Sequence, residues 1–200
     1  MRSSPDRRRH GPDLKAEFGV VHPDIEQATR LASAKLSELG VRHLLIGGVA
    51  VGAYARPRAT KDVDFLVGPE AWPSEGLIVS PIPGLPFQVG SVPIDTLLAP
   101  HEAPSMDEAL ARGIDSEGIP VAPIEVIILM KLIADRPQDR ADVAALLAVA
   151  DLDGARSYLD GVRSYVEEHG PRYFGDLDSA VREYQERASS TKRRLLKPPP

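Results

Sequence analysis

Leu44-Leu45-Ile46-Gly47-Gly48-Val49-Ala50 and, after a gap of thirteen residues from the second glycine, Asp62-Val63-Asp64-Phe65-Leu66-Val67 are the stretches whose reading decides the fold. His43 to Ile46 has the composition of a short buried strand, halted by Gly47-Gly48, and a short helix is expected from Val49 to Tyr54. Asp62 to Val67 reads as the next strand. Side chains alternate along a strand, so Asp62 and Asp64 should share one side while Val63, Phe65 and Val67 take the other. Two carboxylates so close repel each other unless solvent or a cation screens them. An Asp-x-Asp alone reads equally as a sheet edge or a turn. What changes its weight is the upstream strand ending in Gly47-Gly48. A helix beginning there offers backbone N–H groups to a phosphate without Cβ obstruction, although a plain strand-to-helix turn has the same sequence.

Outward from this segment, the chain alternates before becoming helical. Asp24 can cap a helix to about Leu39, with Ile25, Ala28, Leu31, Ala32 and Leu36 at helical spacing and Gly40 ending it. Pro69 to Pro86 is crowded with Pro and Gly, so a long loop is expected, with a short strand at Leu77 to Val79. Phe87 to Val89, Gly90-Ser91 and Val92 to Leu98 form a hairpin pattern. A helix from Pro104 to Arg112 and a last edge strand at Ile119 to Ala122 follow. Helices are then expected over Ile124 to Asp135, Asp139 to Val149, Asp153 to Glu168 and Asp176 to Arg187. Strands first and helices last imply an α+β class: a small mixed sheet flanked by helices, with a helical carboxy-terminal subdomain. The expected division is a mobile amino-terminal arm over 1–19, a core over 20–122, a helical subdomain over 123–188 and a disordered tail over 189–200.

Composition narrows the chemistry. Hydrophobic residues make up 42% and charged residues 26%, ordinary for a globular chain, while the 5% aromatic share requires a mainly aliphatic core. There is no cysteine, which excludes thiolate zinc sites and cysteine nucleophiles and leaves oxygen or imidazole as metal donors. A net charge of -5 argues against a body coated in basic charge for nucleic acid, but not against a local basic groove. Arg7-Arg8-Arg9 reads as a solvated charge run or as a contact to a phosphate backbone. No apolar stretch follows it, and the longest apolar run is broken by Lys131, so neither a secretory signal nor a membrane span is expected and a cytoplasmic location is the default.

Three further groups bear on the acidic pair. Asp95 lies in the apolar strand Val92-Pro93-Ile94-Asp95-Thr96-Leu97-Leu98, where a buried acid needs a partner. Three carboxylates would suit Mg2+ (or Mn2+), and could let two metal ions sit about 4 Å apart across an in-line displacement at phosphorus. Arg58 and Thr60 precede the acids. Thr60 is placed to fix the loop or touch a metal-bound water, and Arg58 to meet a phosphate or a surface carboxylate. Lys131 is the one cation in an apolar helix face, so it either snorkels to water or meets an anion.

The pattern Gly47-Gly48, a gap of thirteen residues, Asp62-Val63-Asp64 and a later strand acid at Asp95 resembles the nucleotidyltransferase superfamily that includes DNA polymerase beta. Ile46-Gly47-Gly48-Val49-Ala50 with Arg58-x-Thr60-x-Asp62-Val63-Asp64 is similar, more narrowly, to the small prokaryotic branch with the abortive-infection and toxin–antitoxin nucleotidyltransferases. Leu129-Met130-Lys131-Leu132-Ile133-Ala134-Asp135-Arg136 and Asp139-Arg140-Ala141-Asp142-Val143 extend the likeness to about Leu147. Many members carry Gly-Ser at the turn where this chain has Gly-Gly, so that serine's phosphate contact is absent.

The resemblance implies a nucleotidyltransferase fold and a metal-dependent enzyme. Asp62, Asp64 and Asp95 would be catalytic and metal-binding. Gly47, Gly48, Arg58, Thr60 and Lys131 would be on the nucleotide side, with Asp139 or Asp142 supporting Lys131 and Arg136 a weaker phosphate candidate. From the residues alone, Asp139 reads equally as a helix cap, with Asp142 on an exposed first turn. The implied reaction moves a nucleoside monophosphate from a nucleoside triphosphate to a hydroxyl of RNA or protein. The implied partners include a cognate antitoxin or other partner protein, in a toxin–antitoxin or phage-defence setting. The competing readings are a catalytically inactive nucleotide-binding or regulatory module of the same fold, and a structural partner-binding protein using its carboxy-terminal helices.

Overall fold

The computed structural model describes residues 11–71, 82, 84–98, 104–134 and 136–150. The expected strand at Leu77 to Val79, Arg7 to Arg9, the helices over Asp153 to Glu168 and Asp176 to Arg187, and the tail lie outside them. The described elements run α1 (Leu14–Phe18), α2 (Pro23–Glu38), β1 (His43–Ile46), α3 (Gly47–Tyr54), β2 (Val63–Val67), β3 (Gln88–Val89), β4 (Val92–Leu98), α4 (Pro104–Ala111), β5 (Ile114–Ser116), β6 (Ile119–Val121), α5 (Ile124–Ala134) and α6 (Pro137–Val149).

The strands form one six-stranded mixed sheet in the order β3-β4-β2-β1-β6-β5. The mixed sheet flanked by helices is thus the architecture expected from the sequence. β1 pairs antiparallel with β2 and parallel with β6, and β2 pairs parallel with β4. All four residues of β1 are buried, as are Val63, Phe65, Leu66 and Val67 of β2, which is the pattern of strands covered on both faces. α2 and α3 both pack on β1 and β2. Each fully buried Leu or Phe here contributes about 1.5–3 kcal/mol of transfer free energy, and the core is largely aliphatic. β4 differs. Val92 and Ile94 are buried while Pro93, Asp95 and Leu97 are exposed, so this strand covers the core with one face and leaves the other open.

Several local expectations need correction. Leu14–Phe18, placed in a mobile arm by the composition around it, forms α1: Leu14 is fully buried, and Asp13 caps the helix by accepting the Ala16 N–H at 2.9 Å. Its start is anchored twice more, by the Asp13 N–H on Ala53 O at 2.8 Å and the Leu14 N–H on Ser116 Oγ at 3.1 Å. α2 is capped by His22, whose Nδ1 accepts the Asp24 N–H, rather than by Asp24. α3 begins at Gly47, two residues before the expected start. β6 is not an edge strand, because β5 pairs outside it through the two-residue turn Glu117-Gly118. Both turn residues have positive φ, 56° and 77°, as a turn that follows the strand twist requires. No helix among the described residues is long and apolar enough to cross a membrane.

Candidate active site

The register of the sheet brings the acids together. Asp64 pairs with Asp95 across the parallel β2–β4 ladder, so the two side chains leave the sheet on the same face. Asp62 sits one residue before β2 and is held by Thr60, whose Oγ1 donates to Asp62 Oδ1 at 3.1 Å. Asp95 is exposed, not the buried acid the apolar run predicts, because strand alternation puts it on the open face of β4. Asp64 is half-buried and its carboxyl is pushed up to about 6. Burial is the largest cause, followed by the charges of Asp62 and Asp95, while Lys131 and Arg136 pull the other way.

Gly47 explains how Asp64 fits. Gly47 has φ +68°, and a Cβ there would lie 2.6 Å from Asp64 Cγ and 2.8 Å from its Cβ. The carboxyl therefore rests on the bare Cα at the start of α3. No side chain caps this helix, so its first-turn N–H groups lie beside the acidic cluster. A Cβ on Gly48 would lie 2.6 Å from Thr60 Oγ1 and 3.4 Å from Arg58 Nη2, so the second glycine admits the loop that carries Arg58 and Thr60.

The second half of the site comes from α5 and α6. Lys131 Nζ donates to Asp139 Oδ1 at 2.8 Å and lies 2.9 Å from Asp142 Oδ2. Asp142 also accepts from Arg58 Nη2 at 2.9 Å, and Asp139 from Arg136 Nε at 2.6 Å. Lys131 thus meets anions from its own chain rather than snorkelling to solvent. Asp142 is only 3% exposed, against the expected exposed first turn, because it sits between Arg58 and Lys131. α6 starts at Pro137, and Asp139 reaches back to accept the Arg136 N–H at 3.1 Å, so its capping and its ion pairs coexist. The Asp139 carboxyl is held down at about 2: burial, the largest single effect, is outweighed by the hydrogen bonds from Arg136 and Lys131 together with their charge.

No protein-family model matches the chain, and no curated protein matches it. Among solved structures the chain is similar to an antigenic nucleotidyltransferase-like protein from Paracoccidioides brasiliensis, with a TM-score of 0.44 and 17% identity, over 80% of this chain and 93% of that one.

The candidate site residues within the described part of the chain fall on two linked clusters. Gly47, Gly48, Thr60, Asp62, Asp64 and Asp95 form the first. Arg58, Lys131, Arg136, Asp139 and Asp142 form the second, which acts on Asp64 through the charges of Lys131 and Arg136. Arg136, a secondary candidate on sequence, is the most open cation of the group, with its side chain 71% exposed, and it interacts with both Asp62 and Asp64. The donors of the first cluster are carboxylate oxygens, the chemistry a hard cation prefers. Among the described residues, no group of three or more His, Cys, Asp or Glu is arranged to hold a metal ion by itself.

Glu17 was not foreseen. It is fully buried on α1, with neither carboxylate oxygen hydrogen-bonded, and it rests against Gly52 of α3. The pattern Leu14-x-x-Glu17-Phe18 held the signal, since Glu17 falls on the same helical side as two apolar residues.

Proposed function

We propose that the chain is a metal-dependent nucleotidyltransferase, moving a nucleoside monophosphate from a nucleoside triphosphate to an acceptor hydroxyl. The observation that carries this reading is Asp64, beside Asp62, in register with Asp95 and seated on Gly47 where α3 begins. Charge supports it as well. The two clusters contain five carboxylates and three cations, an excess of two negative charges that one divalent cation cancels.

The residues fit Mg2+ or Mn2+ held jointly with substrate, since magnesium takes one or two protein carboxylates and fills its shell with water and phosphate oxygens. Asp62 and Asp64 would hold it, and when bound it would supply Lewis-acid polarisation of the α-phosphate and charge neutralisation of the pyrophosphate. Asp95, on the open face, takes the proton of the acceptor hydroxyl as that oxygen attacks the α-phosphorus. The bond from the α-phosphorus to the bridging oxygen breaks, and its electron pair leaves with pyrophosphate. The first-turn N–H groups at Gly47 and Gly48 orient the phosphates. Arg136 meets the charge growing on the leaving group, with Lys131 behind it. In the reading the sequence resemblance favours, the acceptor is RNA or a partner protein in a toxin–antitoxin or phage-defence system.

A second reading, nucleotide binding without transfer, draws on the exposure of Asp95 and on the absence of a ready three-carboxylate cage among the described residues. A thermal-shift series with each nucleotide, with and without Mg2+, separates the two. Stabilisation by triphosphates that needs the metal supports transfer, and metal-independent stabilisation supports the binding module. Labelled triphosphates with a total cell extract then identify the acceptor. Asp64→Asn should abolish labelling with the fold retained, and undiminished labelling in that variant would end this mechanism.

A further inference from the structure

Two buried polar groups, the Glu17 carboxylate of α1 and the Arg58 Nε–H of the loop before β2, pack against one face of α3. Neither oxygen of Glu17 has a side-chain hydrogen-bond partner, the Arg58 backbone N–H being the one donor that acts on it, and the Nε–H of Arg58 is buried without a partner. Groups in that state each carry an uncompensated desolvation cost and are rare in native proteins. Gly48 and Gly52 are one helical turn apart on α3, so they line the same face. The Arg58 guanidinium lies over Gly48, 3.4 Å from where a Cβ would sit, and the Glu17 carboxylate lies over Gly52, where a Cβ would collide with it. Two opposite charges thus run in line along a surface smoothed for them.

We propose that Glu17 is a positioning residue for Arg58: its carboxylate and the Arg58 guanidinium form a charge pair along the glycine face of α3, which ties α1 to the site. Arg58 continues to Asp142 and so to Lys131, giving a line of alternating charge, Glu17, Arg58, Asp142, Lys131, that ends beside Asp64. Among the described residues, Arg58 is the cation whose charge acts on Glu17. α3, Gly47 to Tyr54, carries no charged residue. From α2 the near cation is Arg30, which is stacked over the Phe18 ring at 5.0 Å and committed to Glu26 and Glu117. Burial raises the Glu17 carboxyl to about 7, while the Arg58 backbone N–H and charge oppose that rise. Glu17 therefore changes charge near neutral pH, and each change alters the hold on Arg58. The pairing is independent of the chemistry at the site, and only its effect on phosphate binding rests on the transferase reading.

The test begins with the unaltered full-length chain. The Arg58 Nε resonance, followed by NMR from pH 5 to 9, should titrate with the midpoint of the Glu17 side-chain carboxyl, and a flat Arg58 profile would overturn the proposal. Arg58→Gln should then raise the Glu17 midpoint, while Arg58→Lys, which keeps the charge, should recover most of it. A Glu17 midpoint unmoved in both variants refutes the pairing. If Arg58→Gln does not fold, the wild-type titration and Arg58→Lys decide. Nucleotide titration of Glu17→Gln, Arg58→Gln and the double variant should show non-additive losses of affinity. If the wild type binds no nucleotide while the NMR coupling is present, the transferase reading fails and the pairing stands. If nucleotide binds but the coupling is absent, the reverse holds.

Discussion

Gly47→Ala tests the central packing feature of the site. Two separate effects act on the new methyl group. An alanine at φ +68° takes a left-handed conformation that costs about 1–2 kcal/mol relative to glycine. The Cβ would also lie 2.6 Å from Asp64 Cγ, so the carboxyl must leave its seat, and overpacking of this kind costs about 1–3 kcal/mol. Gly40→Ala is the internal control, because Gly40 has nearly the same φ, +70°, with nothing within 4 Å of the added Cβ. Gly40→Ala should therefore show the conformational cost alone. At roughly 2–4 °C per kcal/mol for a chain of this size, Gly47→Ala should melt about 4–20 °C below wild type and Gly40→Ala about 2–8 °C below. The assay is thermal unfolding of the three proteins without ligand, repeated with Mg2+ and triphosphate. Gly47→Ala should also lose any metal-dependent stabilisation that wild type and Gly40→Ala retain. Equal melting of the two variants would refute the claim that Asp64 is packed on the bare Cα of Gly47.

Asp64→Asn should stabilise the metal-free protein at pH 8 by about 3 kcal/mol, since a carboxyl raised from 3.8 to about 6 contributes stability below pH 4 that is lost as pH rises through 6. Equal melting of variant and wild type at pH 8, read against convergence below pH 4, would contradict the like-charge crowding. Asp139 has the opposite sign: its carboxyl, held at about 2, contributes stability above pH 4 that disappears as pH falls toward 2. Asp139→Asn, which leaves Lys131 short of a partner, should cost about 3 kcal/mol at pH 7 by denaturant titration, and a loss under about 0.5 kcal/mol would show the network to be unimportant for stability.

What the sequence reveals here is what short-range pattern controls. β1, β2 and the β3–β4 hairpin follow from apolar runs bounded by glycine, and the approach of Asp64 to Gly47 follows from their order. The missed elements are those whose local pattern is weak. β5 has one apolar residue among Ile114, Asp115 and Ser116, and it forms because the Glu117-Gly118 turn returns the chain onto β6. α1 is only five residues long, below the length at which propensity alone makes a helix, and it depends on anchors to Ala53 and Ser116. The fate of Lys131 depended on tertiary partners. A cation in an apolar face signals a need for an anion, but not that Asp142 would serve both Lys131 and an arginine 84 residues upstream.

α3 shows why such partners can meet. With three glycines and two valines in eight residues, Gly47 to Tyr54 is a poor helix former, each glycine weakening it by about 1 kcal/mol relative to alanine. Burial of Val49, Ala50, Val51 and Ala53 offsets that weakness. Placing the glycines elsewhere would make a stronger helix but would close the space each one leaves. Asp64 occupies the space at Gly47, Thr60 and Arg58 that at Gly48, and Glu17 that at Gly52. These side chains come from α1, the loop before β2, and β2 itself, so the helix acts as a template on which separate parts of the chain are brought into register. A helix-strengthening substitution at Gly48 or Gly52 would therefore displace a polar group of the site, while at Gly47 the left-handed φ and the seat of Asp64 both require glycine.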